Sequence, residues 1–131
     1  MNGEQRIVLI ADDSITNLHV LNSILRPHYQ VKATRSGVRA LEIAIRDRPH
    51  AVLLDVMMPD LDGPEVCRRI KAEPGLSHVP VLFVTGSADT DAAAACIAAG
   101  GAEILTKPVN ADALLATLAR HIRDADQPAA N

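Results

Sequence analysis

Ala51-Val52-Leu53-Leu54-Asp55-Val56-Met57-Met58-Pro59-Asp60-Leu61-Asp62-Gly63-Pro64 runs from an apolar, strand-like stretch into a carboxylate, through a polar turn, and into a proline suited to the first turn of a helix. An acid that ends an apolar strand loses part of its hydration and needs compensation. The same design recurs along the chain. Ile7-Val8-Leu9-Ile10-Ala11 leads into Asp12-Asp13, Val81-Leu82-Phe83-Val84 leads into Thr85, and Ile104-Leu105 lies just before Lys107.

Between these runs, apolar residues recur three or four apart, the pattern of βα units around a parallel sheet. Strands are expected near 7–11, 30–33, 51–55, 81–85 and 103–106, and helices near 15–25, 37–47, 64–72, 90–99 and 111–123. Leu18, Leu21, Ile24 and Leu25 give the first helix its apolar face, and Pro27 lies beyond its end. Val38, Leu41, Ala44 and Ile45 are the expected inward face of the second helix, and Leu114, Leu115, Leu118 and Ile122 that of the last. Asp89 and Asn110 are candidate N-caps. Alternating strands and helices predict an α/β, flavodoxin-like doubly wound (βα)5 sandwich with strand order 2-1-3-4-5. Its ligand crevice then opens beyond the carboxyl ends of strands one and three, where Asp12-Asp13 and Asp55 stand.

The 131 residues suit one domain, expected over 1–123 with a polar tail at 124–131. With 48 % hydrophobic and 22 % charged residues, the composition is that of a globular chain. No apolar run approaches the ~20 residues of a bilayer span, and the N-terminus lacks a secretory pattern, so a cytoplasmic location is expected. A net charge of −3, one Phe, one Tyr and no Trp leave neither a basic footprint nor a stacking platform for nucleic acid. Cys67 and Cys96 lack metal or redox spacing and read as reduced thiols, buried or half-buried. The five histidines show no ligand spacing.

Three clustered carboxylates repel by about 4 kcal/mol per pair at roughly 4 Å and an effective dielectric near 20, which calls for cations. Lys107 supplies one, and oxygen ligands with room for water favour Mg²⁺, with Mn²⁺ as a substitute. A carboxylate beside such an ion can attack phosphorus. Each element alone has a plainer reading: Asp-Asp as a turn and cap, Thr-Gly as a turn, Lys-Pro as a loop. Their conjunction at one rim favours chemistry.

Leu54 to Gly63, with Ala11-Asp12-Asp13-Ser14 before it and Thr85-Gly86 and Leu105-Thr106-Lys107-Pro108 after it, resembles the receiver domain of two-component response regulators, from about Arg6 to Ile122. The resemblance implies that Asp55 is the phospho-acceptor and that Asp12, Asp13, Asp55 and the backbone carbonyl of Met57 hold the metal. It likewise implies that Thr85 and Lys107 contact the phosphoryl group. It further implies a histidine kinase or phosphotransfer protein as donor, a cis Lys107-Pro108 bond and a downstream protein partner; the charge and the short apolar runs give no expectation of direct contact to nucleic acid or membrane.

Two departures stand out. Ile104 occupies the position where many receivers carry a Tyr or Phe that swings inward, so activation is expected to move the fourth helix with little rotameric change at 104. No Lys or Arg lies between Lys71 and Lys107, which removes the usual basic partner for dimerisation through the fourth helix; a monomer or weak dimer is expected. Nothing after Ile122 reads as an output domain, which suits a single-domain regulator, a relay or a receiver cut from a longer protein. A haloacid-dehalogenase-type phosphatase needs an acid two positions after its nucleophile, where this chain has Met57. A flavodoxin-like flavin binder conflicts with Asp12-Asp13. A degenerate, non-phosphorylated interaction module conflicts with the full acid, threonine and lysine set.

Overall fold

The computed structural model describes residues 6–86 and 90–126. Its elements are β1 (Ile7–Ala11), α1 (Ile15–Leu25), β2 (Gln30–Thr34), α2 (Gly37–Asp47), β3 (Ala51–Asp55), α3 (Gly63–Ala72), β4 (Val81–Thr85), α4 (Thr90–Ala98), β5 (Glu103–Thr106) and α5 (Ala111–Asp126). The strands form one parallel sheet in the order β2-β1-β3-β4-β5, the expected flavodoxin-like winding.

Strand side chains alternate between two apolar layers, because successive residues of a strand face opposite ways. Val8, Ile10, Leu53, Leu82 and Val84 pack with Leu18, Leu21 and Leu25 of α1 and Leu114, Leu118 and Ile122 of α5. Leu9, Val52, Leu54, Val81 and Phe83 face the opposite layer, built from Ala40 and Ala44 of α2, Val66, Cys67 and Ile70 of α3, and Cys96 of α4. Covering both faces is what allows the inner strands to be apolar throughout. Each large side chain so buried contributes about 1.5–3 kcal/mol relative to exposure.

Helix starts follow local chemistry. Ser14 and Ser36 cap α1 and α2 by accepting from the Asn17 and Arg39 amides, and Asp62 caps α3 by accepting from that of Glu65. Asn110 caps α5 as expected, its side-chain oxygen accepting from the Ala113 amide at 2.9 Å. Asp89 lies outside the described residues.

The inward face of α2 differs from expectation. Gly37, Ala40, Ile43 and Ala44 are buried, whereas Val38 and Ile45 are exposed. Gly37 turns inward because α2 starts close to the β3–α3 loop: a Cβ on it would stand 2.1 Å from the Leu61 carbonyl oxygen. The last helix also continues to Asp126, three residues past the expected 123, with Asp126 ion-paired to Arg6.

Phe83 is fully buried between two glycines. A Cβ on Gly101 would meet its ring at 2.7 Å, and one on Gly63 would meet it at 3.1 Å and the Asp55 carbonyl oxygen at 2.3 Å, so both positions exclude a side chain. Cys67 and Cys96 are buried and free; Cys67 Sγ donates to the Ala99 carbonyl at 3.4 Å, joining α3 to the end of α4. Among the described residues no helix is long and apolar enough to cross a membrane.

Candidate functional site

Parallel pairing brings the acidic strand ends together. Ala11 pairs with Leu54, one residue before Asp12 and Asp55 on the neighbouring strands β1 and β3. Asp12, Asp13 and Asp55 each offer a carboxylate oxygen, and all three oxygens lie within 4.8 Å of one another. Asp12 is 1 % exposed, Asp55 is half-buried and Asp13 faces solvent. Lys107, in the loop after β5, donates from Nζ to Asp12 Oδ2 at 3.0 Å and lies 3.8 Å from Asp55 Oδ1. Its backbone amide donates to the Thr85 carbonyl at 2.8 Å, which ties that loop to the end of β4. Thr85 is buried at the same rim, one residue past Val84, the register partner of Asp55. The Lys107-Pro108 bond is cis, as the sequence resemblance implied.

The electrostatics follow from crowding. Burial, then the negative charge of Asp12, pushes the Asp55 carboxyl up to about 6, against the opposing pull of Lys107 and of the Met57 amide that donates to it. Asp12 is compensated from two sides, since its Oδ1 also accepts from the Ser14 amide at 2.9 Å. The lysine therefore sits closer to the deeper acid and leaves Asp55 the less neutralised of the two. Three oxygen donors with a surplus of negative charge fit a hard divalent cation such as Mg²⁺. Met57 adjoins the site through its backbone amide, its side chain being 75 % exposed while the neighbouring Met58 is buried in the core.

One residue of the rim was missed in the sequence. Asp60 accepts from Ser36 Oγ at 2.6 Å, the Gly37 amide at 2.9 Å, the Val38 amide at 3.1 Å and the Leu61 amide at 2.9 Å. The Ser36 hydroxyl, followed by the Gly37 and Val38 amides, holds its carboxyl well below the usual range. Apart from the adjacent Leu61 amide its partners stand more than twenty positions away, and no helix begins locally at 60 for it to cap. An acid in a loop with no local helix to cap was the available signal.

Beside Thr85, a cavity of about 210 Å³ is lined by Val56, Ala92, Ala93, Cys96, Ile104 and Thr106. Ile104 stands where the receiver pattern often has an aromatic ring, and the space beside it is bounded mainly by small side chains. On the α5 side of β5, Glu103 accepts from Arg120 Nη2 at 2.9 Å and pairs with His121 Nε2 at 2.8 Å, so these α5 side chains are engaged within the chain.

The family model of the response regulator receiver domain matches residues 8–119. The chain belongs to that family. Similar proteins include the response regulator PleD of Caulobacter vibrioides, 36 % identical over 104 residues, covering 79 % of this receiver and 23 % of PleD. The response regulator MprA of Mycobacterium leprae is 36 % identical over 118 residues, covering 90 % of the receiver and 51 % of MprA. The receiver thus spans about half or less of the curated relatives it matches. Among solved structures, the receiver domain of the Pseudomonas aeruginosa sensor histidine kinase PA1611, with magnesium coordinated in its active-site cleft, superimposes with a TM-score of 0.86 at 30 % identity, covering 92 % of this chain and 99 % of that one. Receiver domains are signalling modules of two-component systems, interacting with histidine kinases and downstream effectors.

Proposed function

We propose that this receiver accepts a phosphoryl group on Asp55 in a Mg²⁺-dependent reaction and thereby changes its partner-binding surface. The observation that carries the reading is the convergence of three carboxylates within 4.8 Å, with Lys107 against two of them. The donor is a histidine kinase or phosphotransfer protein bearing phosphohistidine, and the target is a downstream protein. Asp12, Asp13, Asp55 and the Met57 carbonyl would hold the metal. Bound there, Mg²⁺ supplies neutralisation of charge on the phosphoryl oxygens and a template for their orientation.

The residues divide the remaining work. An ionised Asp55 oxygen forms a bond to phosphorus while the phosphorus–nitrogen bond of the donor breaks. The electron pair of that bond stays on the imidazole nitrogen, which takes up a proton. Lys107, already within 3.8 Å of Asp55, pairs its ammonium with a phosphoryl oxygen, and Thr85 donates its hydroxyl to another. Engagement of Thr85 draws on the cavity shared with Ala92, Ala93 and Ile104, which lets α4 shift. Met57, two positions after Asp55, can transfer no proton, so a haloacid-dehalogenase-type phosphatase cycle lacks its acid–base group.

Incubation with MgCl2 and acetyl phosphate, followed by intact mass measurement, tests this. The mass of one phosphoryl group should be gained by the wild-type chain and not by Asp55→Asn, and beryllofluoride should bind only in the presence of Mg²⁺. Neither adduct nor beryllofluoride binding, or an adduct that persists in Asp55→Asn, would refute the proposal.

A further inference from the structure

We infer that Asp60 is a positioning residue for the metal-binding loop, acting through the head of α2. The inference rests on the proposed roles of the acidic trio and the Met57 carbonyl. The segment from Val56 to Asp62 leaves β3 at Asp55 and returns to α3, and its base is closed by the Gly63 amide donating to the Val56 carbonyl at 2.9 Å. Its far end is fixed by Asp60, whose carboxylate collects the Ser36 hydroxyl and the Gly37 and Val38 amides. Those amides belong to the first turn of α2, whose N–H groups have no partner within the helix. Leu61 then lies so close to Gly37 that a Cβ there would stand 2.1 Å from its carbonyl oxygen, which limits movement of the loop toward α2. Met57 sits between these two anchors.

The same clamp reaches the acidic pair. Ser36, held by Asp60, donates its amide to Thr34 Oγ1 at 3.2 Å, and the Thr34 carbonyl accepts from the Asp12 amide at 3.2 Å. Arg35, between them, donates from Nε to the Asp13 carbonyl at 3.0 Å. One carboxylate outside the acidic trio therefore ties the loop carrying Met57 to the loop that holds Asp12 and Asp13. Loss of Asp60 frees one loop relative to the other, and a divalent ion needing donors from both would feel that loss.

Titration of ¹⁵N-labelled protein with MgCl2, read from the Asp13 and Met57 amide shifts, gives the metal dissociation constant and tests the inference. Asp60→Ala should weaken Mg²⁺ by about tenfold, and Asp60→Asn, which keeps one acceptor oxygen, by about threefold. Ile122→Val, a core change on α5, should lower stability while leaving the constant unchanged. Binding within about twofold of wild type in Asp60→Ala, or an equal loss in Ile122→Val, overturns the inference while the proposed function stands. If Asp60→Ala fails to fold, Asp60→Asn decides alone, and a wild-type constant in that variant overturns the inference. A wild-type protein showing no saturable Mg²⁺ shift overturns both the inference and the metal reading beneath it.

Discussion

Replacing Asp55 with Asn should stabilise the metal-free protein. In the fold the Asp55 carboxyl rises from its ordinary 3.8 to about 6, first through burial and then through the charge of Asp12. At about 1.4 kcal/mol per tenfold change in proton affinity, that rise sets a ceiling of roughly 3 kcal/mol on the cost of ionising it in the native state. Water contact at the open side of the site and the coupled charges of Asp12 and Lys107 reduce the figure to about 1–2 kcal/mol. Because the folded value lies above the unfolded one, native Asp55 holds its proton as pH falls, and the cost disappears below the unfolded value. The advantage of Asp55→Asn should therefore be full above about pH 6, shrink as pH drops through the interval, and vanish near pH 3.8. Urea denaturation across that range measures it directly, and thermal unfolding at pH 7.5 should show a gain of about 4–8 °C. Millimolar MgCl2 should narrow the gap, since the ion stabilises the state that binds it and Asn removes one of its ligands. An Asp55→Asn protein no more stable than wild type at pH 7.5, or a gap that persists unchanged down to pH 4, would refute the electrostatic account.

Other perturbations report on different parts of the structure. Lys107→Ala leaves the buried Asp12 without its 3.0 Å partner and should destabilise the metal-free chain by about 2–4 kcal/mol in urea denaturation, with partial recovery on adding Mg²⁺. Gly37→Ala should cost about 2–3 kcal/mol by the same assay, because the added methyl collides with the Leu61 carbonyl and either α2 or the loop has to shift. Ile104→Phe should change stability by less than about 1 kcal/mol, as the cavity of about 210 Å³ beside it offers room for the larger ring. Burial pushes the Cys67 thiol up to about 11 and raises that of Cys96, so at pH 7.5 both should react with a thiol reagent only in denaturant.

Much of this was legible in the sequence, for identifiable reasons. The strands were readable because short apolar runs between polar turns have few other uses in a chain of this size, and parallel order then set Asp12 beside Asp55. What failed was the reading of small residues. Val38 and Ile45 score as more apolar than Ala40 and Gly37, yet at the head of α2 close approach to Leu61 selects glycine at 37, a constraint set by tertiary distance rather than by hydropathy. Asp60 escaped for a related reason: it caps a helix that starts earlier in the chain, and capping patterns in sequence are local. At the end of α5, Asp124 and Asp126 read as a polar tail because the ion pair to Arg6 joins opposite ends of the described chain.

The seat of Phe83 has a consequence for how this sequence can drift. Its ring packs against Gly63, the first residue of α3, and Gly101, before β5, so these three positions share one tight seat. A library that randomises them singly should return almost nothing but the parental residues. One that randomises them together should recover pairings in which a smaller side chain at 83 licenses alanine at 101, while 63 stays glycine because a Cβ there would also stand 2.3 Å from the Asp55 carbonyl oxygen. The core's lone phenylalanine would then show up as strong epistasis between β4 and the turn before β5.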